Sequence, residues 1–232
     1  MEIFKFGGAS VKDAKGVKNF VSTLRKLDKR EVLIVISAMG KMTNAFEDIV
    51  QSYCDKKENL KQLLASTKNF HFEIINQLDF SESDFINAQI ESVFSEMNQF
   101  FDQNQKTDYD YIYDQIVSRA EFLSTRICSA YLNDQGLQNN WLDVRECIKT
   151  DSDFRRAKVD WEKTTKEILN NVDTRSITIT QGFIGKDNQG RTTTLGREGS
   201  DYTAGIFAYC LDAREVSIFK DVQGVLNADP RE

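Results

Sequence analysis

Residues 31–36, Glu-Val-Leu-Ile-Val-Ile, form a nearly unbroken apolar run. A strand with one wet face alternates polar and apolar side chains. One that is apolar at almost every position has both faces covered, as in a parallel sheet held between layers of helix. Upstream, residues 2–6 (EIFKF) are short, aromatic and β-prone, and they end at Gly7-Gly8. Between the two runs, from about Lys12, Val17, Phe20, Val21 and Leu24 recur at helical spacing. Strand, helix and strand within the first 36 residues predict a βαβ unit with a right-handed crossover.

The rest of the chain extends that pattern. Ser37 to Met42 reads as a loop, and Thr43 or Asn44 can cap a helix whose apolar face is Phe46, Ile49, Val50 and Tyr53. From about Asp55 to Gln105 the pattern is helical, with a break near Asp79-Phe80-Ser81. This segment is expected to be a helical hairpin, an insertion at about 55–105 that projects from the α/β core. Its aromatics read as core packing, and His71 is given no catalytic role. Tyr111 to Leu132 reads as one long helix, 141–144 as a short strand and Asp160 to Asn171 as a helix. Ser176 to Phe183 is a strand, Gly185 to Gly190 a hairpin turn and Glu215 to Phe219 a further strand. At 232 residues the chain suits one large α/β domain or at most two small ones, and its single proline argues against linkers.

The net charge of −6 makes the chain a poor candidate for binding nucleic acid. A polyanionic ligand would have to be met by a few placed cations and backbone amides. Four scattered cysteines and a single histidine exclude a Cys/His zinc site and give no disulfide framework, which suits a reduced, cytoplasmic setting. No run approaches the length of a membrane span, and the N-terminus has no apolar signal segment.

The chemistry gathers around residues 193–208, TTLGREGSDYTAGIFA. An extended threonine run turns through Gly196 and Gly199 and enters a helix. Arg197 and Glu198 sit between the glycines, and Ser200 and Asp201 at the helix start. Backbone N–H groups at such a turn can face an anion, and Asp201 can serve as a plain N-cap. Polar or glycine-bearing loops also follow three strands, at Gly7-Gly8, Ser37–Thr43 and Lys220–Arg231. In an open α/β sheet, loops at the carboxyl ends of strands converge on a ligand. Neither a Walker A sequence nor G-x-G-x-x-G is present. Lys5, a charge between Phe4 and Phe6, is costly there unless it meets an anion.

Four segments carry a family resemblance. Residues 5–11, KFGGASV, resemble the KFGG(T)SV opening of the aspartate kinases, within the amino-acid kinase superfamily. Residues 196–201, GREGSD, resemble the GRGGSD turn of that family, and residues 119–124, RAEFLS, its GE.LS helix. Asp221-Val222-Gln223-Gly224-Val225, followed by Ala228-Asp229-Pro230-Arg231, resembles its DV.G.Y..DPR segment. The resemblance implies a three-layer α/β/α sandwich with a mainly parallel central sheet. It also implies transfer of a phosphoryl group from ATP to the β-carboxylate of L-aspartate, the first step towards lysine, threonine and methionine.

On that resemblance, Lys5 neutralises the phosphoryl group and Asp201 orients Lys5. Phe6, Gly7 and Gly8 belong to the nucleotide side, the glycines offering N–H donors. Glu121 takes the substrate ammonium and Arg197 a carboxylate, with Ser37, Thr43 and Ser200 as polar contacts. Lys220, Asp221, Leu226 and Arg231 hold ATP. Mg²⁺ is expected on the nucleotide phosphates, with no protein ligand assigned. Several positions depart from the pattern: Ala9 where Thr is commoner, Ala120 for Gly, Glu198 for Gly, Lys220 for Thr and Leu226 for an aromatic. Family members continue past the DPR segment into the rest of the nucleotide site and two ACT regulatory domains. The resemblance therefore implies that 1–232 is one amino-acid kinase catalytic domain, C-terminally incomplete, weak or inactive by itself and homo-oligomeric when full length. Kinases of glutamate, acetylglutamate, carbamate or UMP, and a non-catalytic ligand-binding or assembly module, remain alternatives.

Overall fold

The computed structural model describes residues 1–220. Five strands form one parallel sheet: β1 (Glu2–Phe6), β2 (Val32–Ile36), β3 (Asn139–Leu142), β4 (Ile177–Gln181) and β7 (Val216–Phe219). Their order is β3-β4-β2-β1-β7. A small antiparallel ribbon pairs β5 (Ile184–Lys186) with β6 (Thr192–Thr194) around the expected turn. The helices are α1 (Ala14–Leu27), α2 (Met42–Cys54), α3 (Leu60–Leu78), α4 (Asp84–Gln103), α5 (Tyr109–Val117), α6 (Arg119–Asp134), α7 (Trp161–Asn171) and α8 (Gly199–Cys210).

Strand alternation sorts the core into two sides. Phe4, Phe6, Val32, Ile34, Ile36, Ile177 and Ile179 join a core with α1 to α6. Ile3, Leu33 and Val35 face the other way, onto Ile168 of α7 and Ala204, Ile206 and Phe207 of α8. Every residue of β2 is buried, as the apolar run requires of a strand covered on both faces. The result is the three-layer α/β/α sandwich expected from the sequence.

The hairpin of α3 and α4 breaks at 79–83, where Asp79 caps α3 in the left-handed region. It does not project. Ile74, Ile75, Leu78, Ile86, Ile90, Val93, Phe94 and Met97 are buried in the same core as β1 and β2, because the apolar face of each helix is continuous along its length. The expected long helix over 111–132 is two helices parted at Ser118. Ser118 is fully buried and its hydroxyl donates to the Gln115 carbonyl at 3.4 Å, a local bond that competes with the helical ladder. Thr43 lies in the first turn of α2 and does not cap it; Lys41 holds the cap position with no side-chain bond.

The order of the sheet fixes where a ligand can sit. β2 follows β1 on one side, with β4 and β3 beyond it, whereas β7 returns to the other side of β1. The carboxyl ends of β1, β2 and β7 therefore open at a point where the winding reverses, the usual crevice of such sheets. Among the described residues no helix is long and apolar enough to cross a membrane.

Candidate active site

Lys5 shares the face of β1 that carries Ile3, towards α8. There its ammonium lies 2.7 Å from Asp201 Oδ1. Lys5 is only 6% exposed, so this contact answers the cost of a charge buried between two phenylalanines. Lys220, just past β7, meets the other oxygen of the same carboxylate at 3.1 Å. Burial raises the Asp201 carboxyl, but hydrogen bonding and charge from Lys5, then Lys220, outweigh it and hold the group below its ordinary value. The plain N-cap reading of Asp201 does not hold. Glu198 occupies the cap position with φ 55° and makes no side-chain cap bond, and Asp201 sits in the first turn beneath Lys5.

Above this ion pair lies a cavity of about 390 Å³. Its walls include Lys5, Ser37, Thr43, Glu121, Arg197, Ser200 and Asp201, seven residues singled out from sequence and carried by six different elements or loops. The same cavity is lined by four side chains that the sequence reading missed, Glu47, Tyr113, Arg155 and Phe183. Glu47 was findable, since it follows Thr43 by one helical turn on α2 and so shares its face. Phe183 was findable as well, being just past the carboxyl end of β4. Tyr113 and Arg155 carried no such signal.

Glu121, in the first turn of α6, is 4% exposed. One carboxylate oxygen is buried without a partner. Burial pushes the group up to about 8, offset in part by the Ala38 backbone N–H and by the charge of Lys5. A buried acceptor without a partner, on a side chain that lines a polar cavity, suits a donor and best a cation. Glu121 is therefore no solvated helix residue.

A second carboxylate builds the wall. Asp114 of α5, fully buried, accepts from Thr194 N–H at 2.8 Å, Thr194 Oγ1 at 2.6 Å and Arg155 N–H at 3.0 Å. It thereby ties the ribbon and the 151–156 loop to the helix. Burial pushes its carboxyl up to about 6 against those three hydrogen bonds. Beside it, the Tyr113 hydroxyl donates to Glu47 Oε1 at 2.7 Å.

Backbone strain is concentrated here. Among the described residues, seven non-glycine residues have positive φ. Asp28, Lys56, Asp79 and Asp212 lie at or one residue past helix C-caps, where the left-handed region is common. The other three, Arg155 (65°), Phe183 (71°) and Glu198 (55°), all line the cavity. Each such residue costs on the order of 1 kcal/mol or more and persists where the surroundings enforce it, as at ligand sites.

The residues expected on the nucleotide side are brought together less completely. Phe6 is 3% exposed, its ring stacked 4.4 Å from Phe219, so its side chain belongs to the core. It borders a different cavity of about 500 Å³ between β1, β7 and α1, which also carries Lys12, Lys15 and Lys220. The Gly7 N–H already donates to the Phe219 carbonyl at 3.2 Å, so it is not the phosphate donor expected of it. Gly8 has a packing reason: a Cβ there would lie 2.3 Å from the Ala38 carbonyl oxygen, so only glycine lets the β1 and β2 loops touch. Asp221, Leu226 and Arg231 lie outside the described residues. Among the described residues no group of three His, Cys, Asp or Glu could hold a metal ion.

The amino acid kinase family model matches residues 1–232. The chain belongs to the amino acid kinase family. Within that family it is 33% identical over 99% of its length to lysine-sensitive aspartokinase 3 of Escherichia coli, covering 51% of that protein. It is 30% identical over 99% of its length to an aspartokinase of Chlamydia muridarum, covering 50%. The chain thus spans about half the length of these curated relatives. Its fold superposes on the crystal structure of E. coli aspartokinase III in complex with aspartate and ADP with a TM-score of 0.90 at 31% identity, over 100% of this chain and 51% of that one. An isopentenyl phosphate kinase, at 14% identity and a TM-score of 0.56, shares the amino acid kinase fold alone.

Proposed function

We propose that this chain is the catalytic region of an aspartate kinase, transferring the γ-phosphoryl group of ATP to the β-carboxylate of L-aspartate. The observation that carries the reading is the unpartnered, buried oxygen of Glu121, a residue that lines the same cavity as Arg197 and the Lys5–Asp201 pair. Such a cavity offers an anion for an ammonium, a guanidinium for a carboxylate and a buried lysine for a phosphoryl group. L-Aspartate with a phosphoryl donor presents those three groups. The solved aspartokinase III structure that this fold matches holds aspartate and ADP, which supports the same assignment.

The chemistry asks little of a general base. An ionised carboxylate oxygen attacks the γ-phosphorus, the O–P bond forms, and the bridging P–O bond to ADP breaks. No proton is transferred in that step. Catalysis then consists of positioning and of neutralising charge that spreads over the phosphoryl oxygens. Lys5 supplies the positive charge. Asp201 acts as an anchor that holds Lys5 and Lys220 together at the β1 and β7 ends. Ser37, Thr43 and Ser200 orient the acceptor from three sides. Mg²⁺, bound through nucleotide oxygens, would neutralise further phosphate charge. In this reading the protein works in the cytoplasm as a homo-oligomer when full length.

Calorimetry of the chain with L-aspartate, and aspartate-dependent ADP release with MgATP, test the assignment. Binding of L-aspartate in preference to L-glutamate and N-acetylglutamate is the expected result. Preference for either of the latter would move the chain to another branch of the amino acid kinase family.

A further inference from the structure

The acceptor cavity contains a second guanidinium. We propose that Arg155 acts with Arg197 to hold the carboxylate of the acceptor that is not phosphorylated, which makes Arg155 a specificity-determining residue. The inference rests on the functional reading above and deepens it.

Arg155 is placed with more care than a loop arginine needs. Its backbone sits at φ 65°, a conformation arginine does not choose, and its N–H is held by the fully buried Asp114 at 3.0 Å. The guanidinium carbon stands 4.4 Å from the centre of the Tyr113 ring, a cation–π contact. One nitrogen meets Asp110 at 3.1 Å, with both side chains nearly half exposed. That pair is weak, and it uses one of five N–H donors. The rest of the fork remains for a ligand in the cavity that Arg155 lines.

The position relative to Arg197 follows from the backbone. Gly196, at φ 80°, lies so close to the 151–156 loop that a Cβ on it would stand 3.3 Å from the Arg155 carbonyl oxygen. The loop bearing Arg155 and the turn bearing Arg197 are thus in direct contact at the cavity edge. Among the described residues, Lys5 pairs with Asp201, while Arg155 pairs with Asp110 and stacks on Tyr113, so these two cations lining the cavity are held by separate partners. Two guanidiniums and a lysine lining one cavity suit an acceptor with two carboxylates, one gripped and one reacting. Glu47, in the same wall, accepts from the Tyr113 hydroxyl at 2.7 Å and so holds the ring against which the Arg155 guanidinium packs.

The test uses Arg155→Gly and Arg155→Gln, with L-aspartate and ADP titrated separately by calorimetry. Glycine suits the left-handed backbone, so Arg155→Gly should melt at or above the wild-type temperature while its Kd for L-aspartate rises about tenfold and that for ADP stays put. Arg155→Gln should weaken L-aspartate similarly. Combined with Arg197→Gln, the losses should be less than additive, because both residues grip one carboxylate. L-Aspartate affinity within twofold of wild type in both single variants overturns the inference and leaves the functional reading standing. A wild-type chain that binds no L-aspartate overturns both.

Discussion

Lys5 and Glu121 make opposite demands on the same cavity, and each can be tested by one substitution. Removing the Lys5 ammonium leaves the transferring phosphoryl group without its buried cation. Lys5→Ala should lower kcat by about 10²–10³, as for loss of one preorganised charge-stabilising group, with a smaller change in the KM for L-aspartate. Steady-state ADP release measures the split, and unchanged kcat would remove Lys5 from the mechanism. Glu121 is read through pH. Its carboxyl is raised from the ordinary 4.5 to about 8 by burial, so the native chain keeps a proton that the unfolded chain has lost. Stability should therefore fall as pH rises from about 4.5 to about 8, since the native state binds more protons across that window. Glu121→Gln should flatten this slope and match or exceed the wild-type melting temperature at pH 8. The same variant should bind L-aspartate roughly 30- to 100-fold less tightly, as expected when a charged hydrogen-bond partner is lost. Thermal melts from pH 5 to 8 and calorimetry check the two halves separately.

Between single residues and the whole chain stand the elements that carry them, and Asp114 is the joint of the substrate wall. Asp114→Ala strips partners from Arg155 N–H, Thr194 N–H and the Thr194 hydroxyl, all in a buried site. The expected loss is about 2–4 kcal/mol by urea denaturation, with Asp114→Asn recovering part of it. A loss below about 1 kcal/mol would mean that α5 and the ribbon are held by packing alone. The strands, the β5–β6 turn and the glycine turn into α8 were readable from the chain because local rules place them: apolar runs, turn residues and helical spacing. The break at Ser118 was not readable. No glycine or proline marks it, and the apolar periodicity runs straight through. Arg155 was equally hidden, because its φ and its place beside Gly196 are set by a buried carboxylate 41 positions away. The motif residues Lys5, Arg197, Ser200 and Asp201 could be picked out, but their convergence depends on a sheet order that sequence spacing does not state. Gly7 and Phe6 show the opposite failure: the motif was recognised, while the jobs given to those two residues are taken up by β7 and the core.

At the scale of the molecule, the helical hairpin and the α/β layers share one core, which predicts shared stability. Met97 of α4 is fully buried in the cluster that contains β1 and β2. Met97→Ala should cost about 2–5 kcal/mol and lower a single cooperative transition, seen alike by far-UV circular dichroism and by fluorescence. Separate transitions for hairpin and sheet would overturn this. The same continuity ties the acceptor cavity to the body of the protein, since its walls come from β1, α2, α5, α6 and α8. One consequence concerns what the cavity turns away. Succinate has both carboxylates of aspartate and no amine, so it would fill the space and leave the Glu121 oxygen facing nothing. It could enter at little cost only with that oxygen already protonated. Succinate should therefore compete with L-aspartate in mildly acidic buffer and lose that ability as the buffer turns alkaline, while the amino acid itself gains.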